Sequence, residues 1–216
     1  MGLVISYIRG LGGNESLGMK QLTLKVTALL GILTAQRVSS LTSLCLSHTH
    51  VLQDRVILVP AKLGKHHRQG RKIRKVTIKA YPGDSSVCAV ETLKFYMKVR
   101  ESVAEGDQLL VTHRKPHRPA SRDTIARWLK QVLLLAGVKP GVFGAHSYRG
   151  ASTSAARRAC ITVQKILKRG QWSTEETWRR HYDLKREGFD SDEEDEVTEP
   201  LLDFLVEEND PVSKDI

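Results

Sequence analysis

Cysteine is scarce in this chain. Cys45, Cys88 and Cys160 are its three copies, widely spaced and in no Cys-x-x-Cys pair. That excludes a disulfide framework and a zinc ribbon, and makes a reducing compartment the default expectation. Long apolar runs are also missing. The stretch from Leu22 to Leu33 is broken by Lys25 and Thr27, too short and too polar to span a bilayer. No basic start leads into an apolar run, so no cleavable signal peptide is expected. "MGLVIS" does satisfy the N-myristoylation pattern through Gly2 and Ser6, a match that chance supplies readily.

Acidic side chains are the third shortage, confined to one region. Residues 1–189 carry 33 Lys and Arg against 12 Asp and Glu, whereas residues 190–216 carry 1 against 12. The overall charge of +10 therefore conceals a basic body and an acidic tail. A body of this charge calls for a polyanion, nucleic acid or an anionic membrane surface. The tail, beginning "DSDEEDEVTEP", repels itself and is expected to be disordered. The division predicts one domain over 1–189 and an appended segment over 190–216. The length suits a single hydrophobic core.

The apolar spacing reads mainly as helix. In "KQLTLKVTALLGILTA", Leu22, Val26, Leu29, Leu30 and Leu33 fall on one stripe, which predicts a core-facing helix. A break near Gln36 precedes Val38, Leu41 and Leu44, a second short helix with Arg37 close to its start. "RVILVP" and "RKVTIKA" are β-branched runs flanking a cation-rich connection, and predict two antiparallel strands. "SSVCAVETLKFYMKVRESV" returns to helical period, and "DQLLVTH" reads as one more extended piece. In "SRDTIARWLKQVLLLAG", Ser121 is the predicted N-cap and Gly137 the stop. "SYRGASTSAARRA" and "TVQKILKRG" follow as helices. In "GQWSTEETWRRHYDL", Ser173 and Glu176 form a capping-box pattern, with Trp178 and Tyr182 sharing a face of the helix it would open. The class expected is α+β, mainly helical with a small antiparallel sheet.

A set of scattered polar residues has phosphate chemistry in common. Arg37 follows an apolar helix, and Lys62 lies in the strand connection. His146 and Arg149 are spaced i and i+3, Trp172 follows Gly170, and Tyr182 ends the series. Moving a phosphodiester from one oxygen to another gathers negative charge on the non-bridging oxygens, which guanidinium forks and N–H donors stabilise. The attacking oxygen must come in line, and the departing alkoxide needs a proton. These side chains meet those needs, and no metal or cofactor is called for. Each residue also has a plainer use: Arg37 as a helix-end cation, His146 and Arg149 as donors to backbone carbonyls, Trp172 and Tyr182 as core aromatics.

In this order and at these spacings the residues resemble the tyrosine recombinase (phage integrase) superfamily, whose pattern is Arg, Lys, His-x-x-Arg, His or Trp, then Tyr. The likeness runs from "TAQRVSSLTSL" to "WRRHY". Its wording is closest to recombinases of eukaryotic mobile elements of the DIRS, Ngaro and Crypton kind, through "LTLKVTALLGILTAQRVSSLTSL", "AHSYRGASTSAA" and "GQWSTEETWRRHY". The resemblance implies the family's catalytic-domain fold and a reaction on double-stranded DNA. In it Tyr182 attacks the scissile phosphate, forms a 3′-phosphotyrosyl link and frees a 5′-hydroxyl. Arg37 and Arg149 would clamp the non-bridging oxygens, and the Trp172 indole would donate to one of them. His146 would exchange a proton with the tyrosine, while Lys62, or Lys65 in its stead, would protonate the leaving oxygen. Lys65, Arg68, Arg71 and Lys72 would contact DNA phosphates; a nuclear localisation signal is the rival reading of "RQGRKIRK", and phosphate contact is its more economical use. A nuclear protein that self-associates on DNA, without a membrane role, is the expectation.

The chain departs from the family in three places. Ser40 stands where members often carry an acid, and Trp172 to Tyr182 is ten residues, one more than in many bacterial and phage members. About 35 residues precede Arg37, so the family's N-terminal core-binding domain is expected to be absent, with weaker DNA binding as the consequence. The tail segment "PLLDFLVEE" would dock on a neighbouring protomer, or the acids around "SDEEDE" would cover the basic face. A non-catalytic DNA-binding module of the same fold, a type IB topoisomerase and a membrane-surface protein are the competing readings.

Overall fold

A computed structural model describes residues 1–60, 75–139, 141 and 143–182, the last two by their backbone alone. The helices are α1 (Gly2–Gly10), α2 (Met19–Thr34), α3 (Val38–Thr42), α4 (Ala89–Val103), α5 (Arg122–Leu135), α6 (Ser147–Arg158), α7 (Val163–Gly170) and α8 (Glu175–Tyr182). Strands β1 (Thr49–Val51), β2 (Arg55–Leu58) and β3 (Val76–Lys79) form one antiparallel sheet in the order β1-β2-β3. The result is the mainly helical α+β architecture that the spacing predicts. Val56 and Leu58 on β2 and Val76 and Ile78 on β3 face the core, opposite registers of the same two-residue alternation. Among the described residues no helix is long and apolar enough to cross a membrane.

The predicted single stripe on α2 is corrected by the structure. Every residue from Leu22 to Thr34 is buried, because α4, α5 and α6 pack around this helix. Its polar residues are satisfied internally. Thr23, Thr27 and Thr34 donate to the carbonyls of Met19, Thr23 and Leu30, and Lys25 Nζ donates to the Gly12 carbonyl at 2.9 Å. Burial pulls the Lys25 pKa below the ordinary lysine value, with Asp84 and Glu15 opposing the shift. Gly31 permits a close crossing. A Cβ there would lie 3.2 Å from Leu129 Cδ2 and 3.3 Å from Tyr148 Cδ1, so α5 and α6 approach α2 where a larger residue would hold them off.

Two elements have no counterpart in the sequence reading, α1 and β1. Within "MGLVIS", Val4 and Ile5 join the core with Ile8 and Gly2 is buried at the start of α1, while Leu3 is exposed. The stretch "DQLLVTH" is extended but outside the sheet. It makes isolated bridges, Cys45 to Gln108 and Val111 to Pro119, and Leu109, Leu110 and Val111 are fully buried. The expected Ser121 cap forms, its hydroxyl accepting from the Thr124 N–H at 3.2 Å. The capping box placed at Ser173 moves one residue on. Because α8 begins at Glu175, it is the Thr174 hydroxyl that accepts from the Thr177 N–H, at 3.3 Å. Glu176 instead pairs with Arg180 at 2.8 Å, on the exposed face.

A second, smaller core of Ala155, Ala156, Ile161, Ile166, Trp172 and Trp178 joins α6, α7 and α8. Trp178 is fully buried there, as the packing reading of that window requires.

The turn after α4 is held by Arg100, whose guanidinium donates to the carbonyls of Gln108, Ala104, Glu105 and Gly106. Replacing it by methionine strands several buried acceptors. Arg100→Met is expected to lower the unfolding free energy by about 3 kcal/mol in urea titrations.

Candidate functional site

Two chain reversals meet at the C-terminal end of α2. The first is the turn from α2 into α3, where Ala35 takes the left-handed conformation at φ 48° and Arg37 becomes the N-cap of α3. The second is the turn from α7 towards α8, where Gln171 takes the same conformation at φ 57°. Neither is glycine. Such a conformation costs about 1–3 kcal/mol and persists only where the surroundings enforce it.

Arg149, on the first turn of α6, provides much of that enforcement. Its side chain is buried, with Nη1 donating to the Ala35 carbonyl and Nη2 to the Gly170 carbonyl at 2.6 Å. One planar cation thus spans both turns. Its flat face stacks on the Trp172 ring, 3.6 Å from guanidinium carbon to ring centroid. The same ring covers Gly170. A Cβ at Gly170 would meet Trp172 Cζ3 at 1.4 Å, so glycine is required for the indole to lie there. Trp172 is itself only 4% exposed.

The two turns are stitched again by Gln36 and Arg169. Gln36 Nε2 donates to the Arg169 carbonyl at 2.9 Å, and Arg169 Nε returns a hydrogen bond to the Leu33 carbonyl at 2.8 Å. Arg169 Nη1 reaches on to Thr77 of β3, donating to its carbonyl at 2.7 Å. Ser152 Oγ adds a bond from α6 to the Ile32 carbonyl at 2.6 Å. The ends of α2 and α7, the first turns of α6 and strand β3 are therefore one hydrogen-bonded unit.

The sequence-predicted residues fall on this unit in different ways. Arg37 is exposed beside the stitched turn, and its carbonyl caps α3 by accepting from the N–H groups of Ser40 and Leu41. His146 is exposed at the N-cap of α6, one turn from buried Arg149. Trp172 lies in the wall, and Tyr182 is the last residue of α8, which packs against α6 and α7. Lys62, Lys65, Arg68, Arg71 and Lys72 lie outside the described residues, as does the 190–216 segment. Ser40 occupies the position of the missing acid, its N–H committed to Arg37 and its carbonyl accepting from the Ser43 hydroxyl.

Other tyrosines are tied into the core. The Tyr148 hydroxyl donates to the Leu129 carbonyl at 3.1 Å, and the Tyr96 oxygen accepts from the Val111 N–H at 3.1 Å. Burial raises the pKa of both above the ordinary phenol value.

Gln36, Arg169 and Gly170 are missing from the sequence-based site. Their contacts join positions up to 136 residues apart, so no local spacing reveals them. Gly170→Ala is expected to displace Trp172 from Arg149 and destabilise the chain by about 2 kcal/mol, visible as a lower urea midpoint with an altered near-ultraviolet tryptophan signal.

Comparison with solved structures finds the same fold in DNA recombinases. The site-specific recombinase XerH, bound to its difH substrate before cleavage, superposes with a TM-score of 0.64 at 15% identity, over 85% of this chain and 48% of that one. The XerA recombinase gives 0.58 at 19% identity, over 78% of this chain and 59% of that one. A lambda integrase dimer bound to a COC′ core site gives 0.51 at 15% identity, over 88% and 47%. The chain spans about half the length of the recombinases it matches. Among curated proteins none matches it. Residues 14–187, from the turn before α2 to beyond α8, match the phage integrase family, and with the Arg, His-x-x-Arg, Trp and Tyr positions in family order the chain belongs to that family, the tyrosine recombinases.

Proposed function

We propose that the chain cleaves and rejoins double-stranded DNA through a 3′-phosphotyrosyl intermediate on Tyr182. The observation that carries this reading is the stitched pair of turns. It gathers Arg37, the His146–Arg149 turn and Trp172, which are far apart in sequence, onto one unit, and α8 runs from that unit to Tyr182.

In this reaction the Tyr182 oxygen attacks the scissile phosphorus, its proton passing to His146, and the bond to the 5′-oxygen breaks. That oxygen leaves with a proton from Lys62 or Lys65. Rejoining is the reverse attack by a 5′-hydroxyl, so the phosphodiester energy is conserved without a nucleotide cofactor. Arg37, exposed at a helix N-cap, is the phosphate ligand. Arg149 contributes from the wall: fixed by two carbonyls and stacked on Trp172, its charge is oriented before substrate arrives, and charge preorganised in this way costs no rearrangement during the reaction. The Trp172 indole N–H completes the donor set, and Lys65, Arg68, Arg71 and Lys72 follow the DNA backbone.

The wording of the α2–α3, α6 and α8 segments supports recombination or integration of a eukaryotic mobile element of the DIRS, Ngaro or Crypton kind, in the nucleus. The DNA-bound dimer among the similar structures supports self-association on DNA. One observation favours a second reading, a DNA-binding module without cleavage. Arg149 is buried with Nη1 and Nη2 both engaged by carbonyls, which is also what a purely structural arginine does.

Trapping on a nicked suicide substrate separates the two. The wild-type chain is expected to give a covalent protein–DNA band, absent from Tyr182→Phe. A band that persists in the variant would remove Tyr182 as nucleophile, and no band from either would favour the module. Plasmid relaxation without exchange of partners would point to topoisomerase-like activity instead. Duplex binding is expected to weaken about 100-fold between about 50 and 200 mM salt if roughly four phosphates are contacted, measured by fluorescence anisotropy.

A further inference from the structure

We infer that Arg169 is a positioning residue for the cleavage reaction, holding three site-bearing segments at fixed separation without touching DNA. The inference rests on the phosphotyrosyl reading for its kinetic consequence, while its structural part stands on contacts alone.

Three features single out this side chain. Its Nε holds the Leu33 carbonyl at the end of α2, four residues before Arg37. Its Nη1 holds the Thr77 carbonyl on β3, the strand that follows the Lys62–Lys72 segment in sequence. Its own carbonyl is held by Gln36 Nε2, and the next two residues are Gly170 and Gln171, which lead directly into Trp172. One residue thus ties the arginine turn, strand β3 and the tryptophan turn.

The chemistry fits orientation rather than phosphate binding. The guanidinium is half-buried and two of its nitrogens point at backbone carbonyls, acceptors that do not move with side-chain rotamers. A rigid fork can bridge two carbonyls on different elements, and a lysine, with one nitrogen on a flexible stem, cannot hold both in a fixed relation. Gln36 Nε2 donates to the Arg169 carbonyl while Arg169 Nε donates to the Leu33 carbonyl, so the 33–36 and 169 segments are linked in both directions. Both left-handed turns flank this stitch, Ala35 on one side and Gln171 on the other. Loosening it lets each turn relax towards commoner backbone angles and carries Arg37 and Trp172 away from the geometry the reaction needs. Displacements near 1 Å at a reacting centre cost rates on the order of 100-fold.

The test uses the full chain with Arg169→Met, Arg169→Lys and Gln36→Leu. Four quantities are measured: thermal midpoint, duplex affinity, the single-turnover rate of covalent adduct formation at saturating protein, and amide hydrogen exchange. Arg169→Met is expected to slow adduct formation by about 30-fold while affinity stays within about threefold, a split that a phosphate ligand would not give. Arg169→Lys should recover little of the rate. Exchange should rise in peptides covering 33–41 and 76–80 but not in the α4–α5 core. Gln36→Leu, which removes the other half of the stitch, should reproduce the pattern and serves if Arg169→Met does not fold.

Equal losses of affinity and rate would make Arg169 a DNA ligand and overturn the inference. So would unchanged exchange at 33–41 together with a rate within about threefold of wild type. If the wild-type chain forms no adduct, the phosphotyrosyl reading fails by itself, and exchange at 33–41 and 76–80 alone then decides whether Arg169 holds the turns.

Discussion

The architecture around the candidate site depends on arginine side chains bound to backbone carbonyls. Helices that end in the protein interior leave acceptors that must be satisfied. Here the end of α2 is finished from outside its own sequence. Arg169 takes the Leu33 carbonyl, Ser152 that of Ile32 and Arg149 that of Ala35. Because Arg149 also takes Gly170, satisfying the end of one helix fixes the end of another. The cost of burying the charge is offset by well-aligned acceptors and by the Trp172 face. Under the proposed function a structural requirement and a catalytic one are met by the same atoms, since a turn that cannot move presents Arg37 in one place.

Packing explains why this can happen at α2. The helix is surrounded by α4, α5 and α6, and Gly31 lets two of them come close. That proximity brings the first turn of α6 within reach of the α2 terminus, so Tyr148 packs beside Gly31 while Arg149, the next residue, turns to the carbonyls. The smaller core under Trp172 and Trp178 then sets the path of α8. Its exposed face carries Glu175–Arg179 and Glu176–Arg180 ion pairs, each contributing only a few tenths of a kcal/mol, so the buried tryptophans and not the charges hold the helix in place.

Much of the fold was legible. α4 and α5 follow from apolar period and from the Ser121 cap, and β2 and β3 from β-branched runs. The single α2 stripe does not hold because threonines count as polar in a pattern, whereas in a helix they donate to the carbonyl four residues back and can be buried on any side. The α8 cap falls on Thr174 and not Ser173 because the two offer the same hydroxyl, and only the true first turn selects between them. α1 leaves little signal because its apolar stretch is short, and β1 because only three residues pair and two of them are exposed.

For the site, the amino-acid order alone determined the candidate chemistry: two arginines, a histidine, a tryptophan and a tyrosine in the order and spacing of one family. That information lies in residue type and succession, which folding does not alter. What only the tertiary structure decided is how each residue is used. It turned Arg149 inward to carbonyls and left Arg37 and His146 exposed, though all three read alike as polar positions near helix starts. It also brought in Gln36 and Arg169, whose partners lie 92 to 136 residues away. A hydrogen bond acts over about 3 Å of space and carries no signature along the chain, so the residues that position a site become visible only once the backbone has closed upon itself.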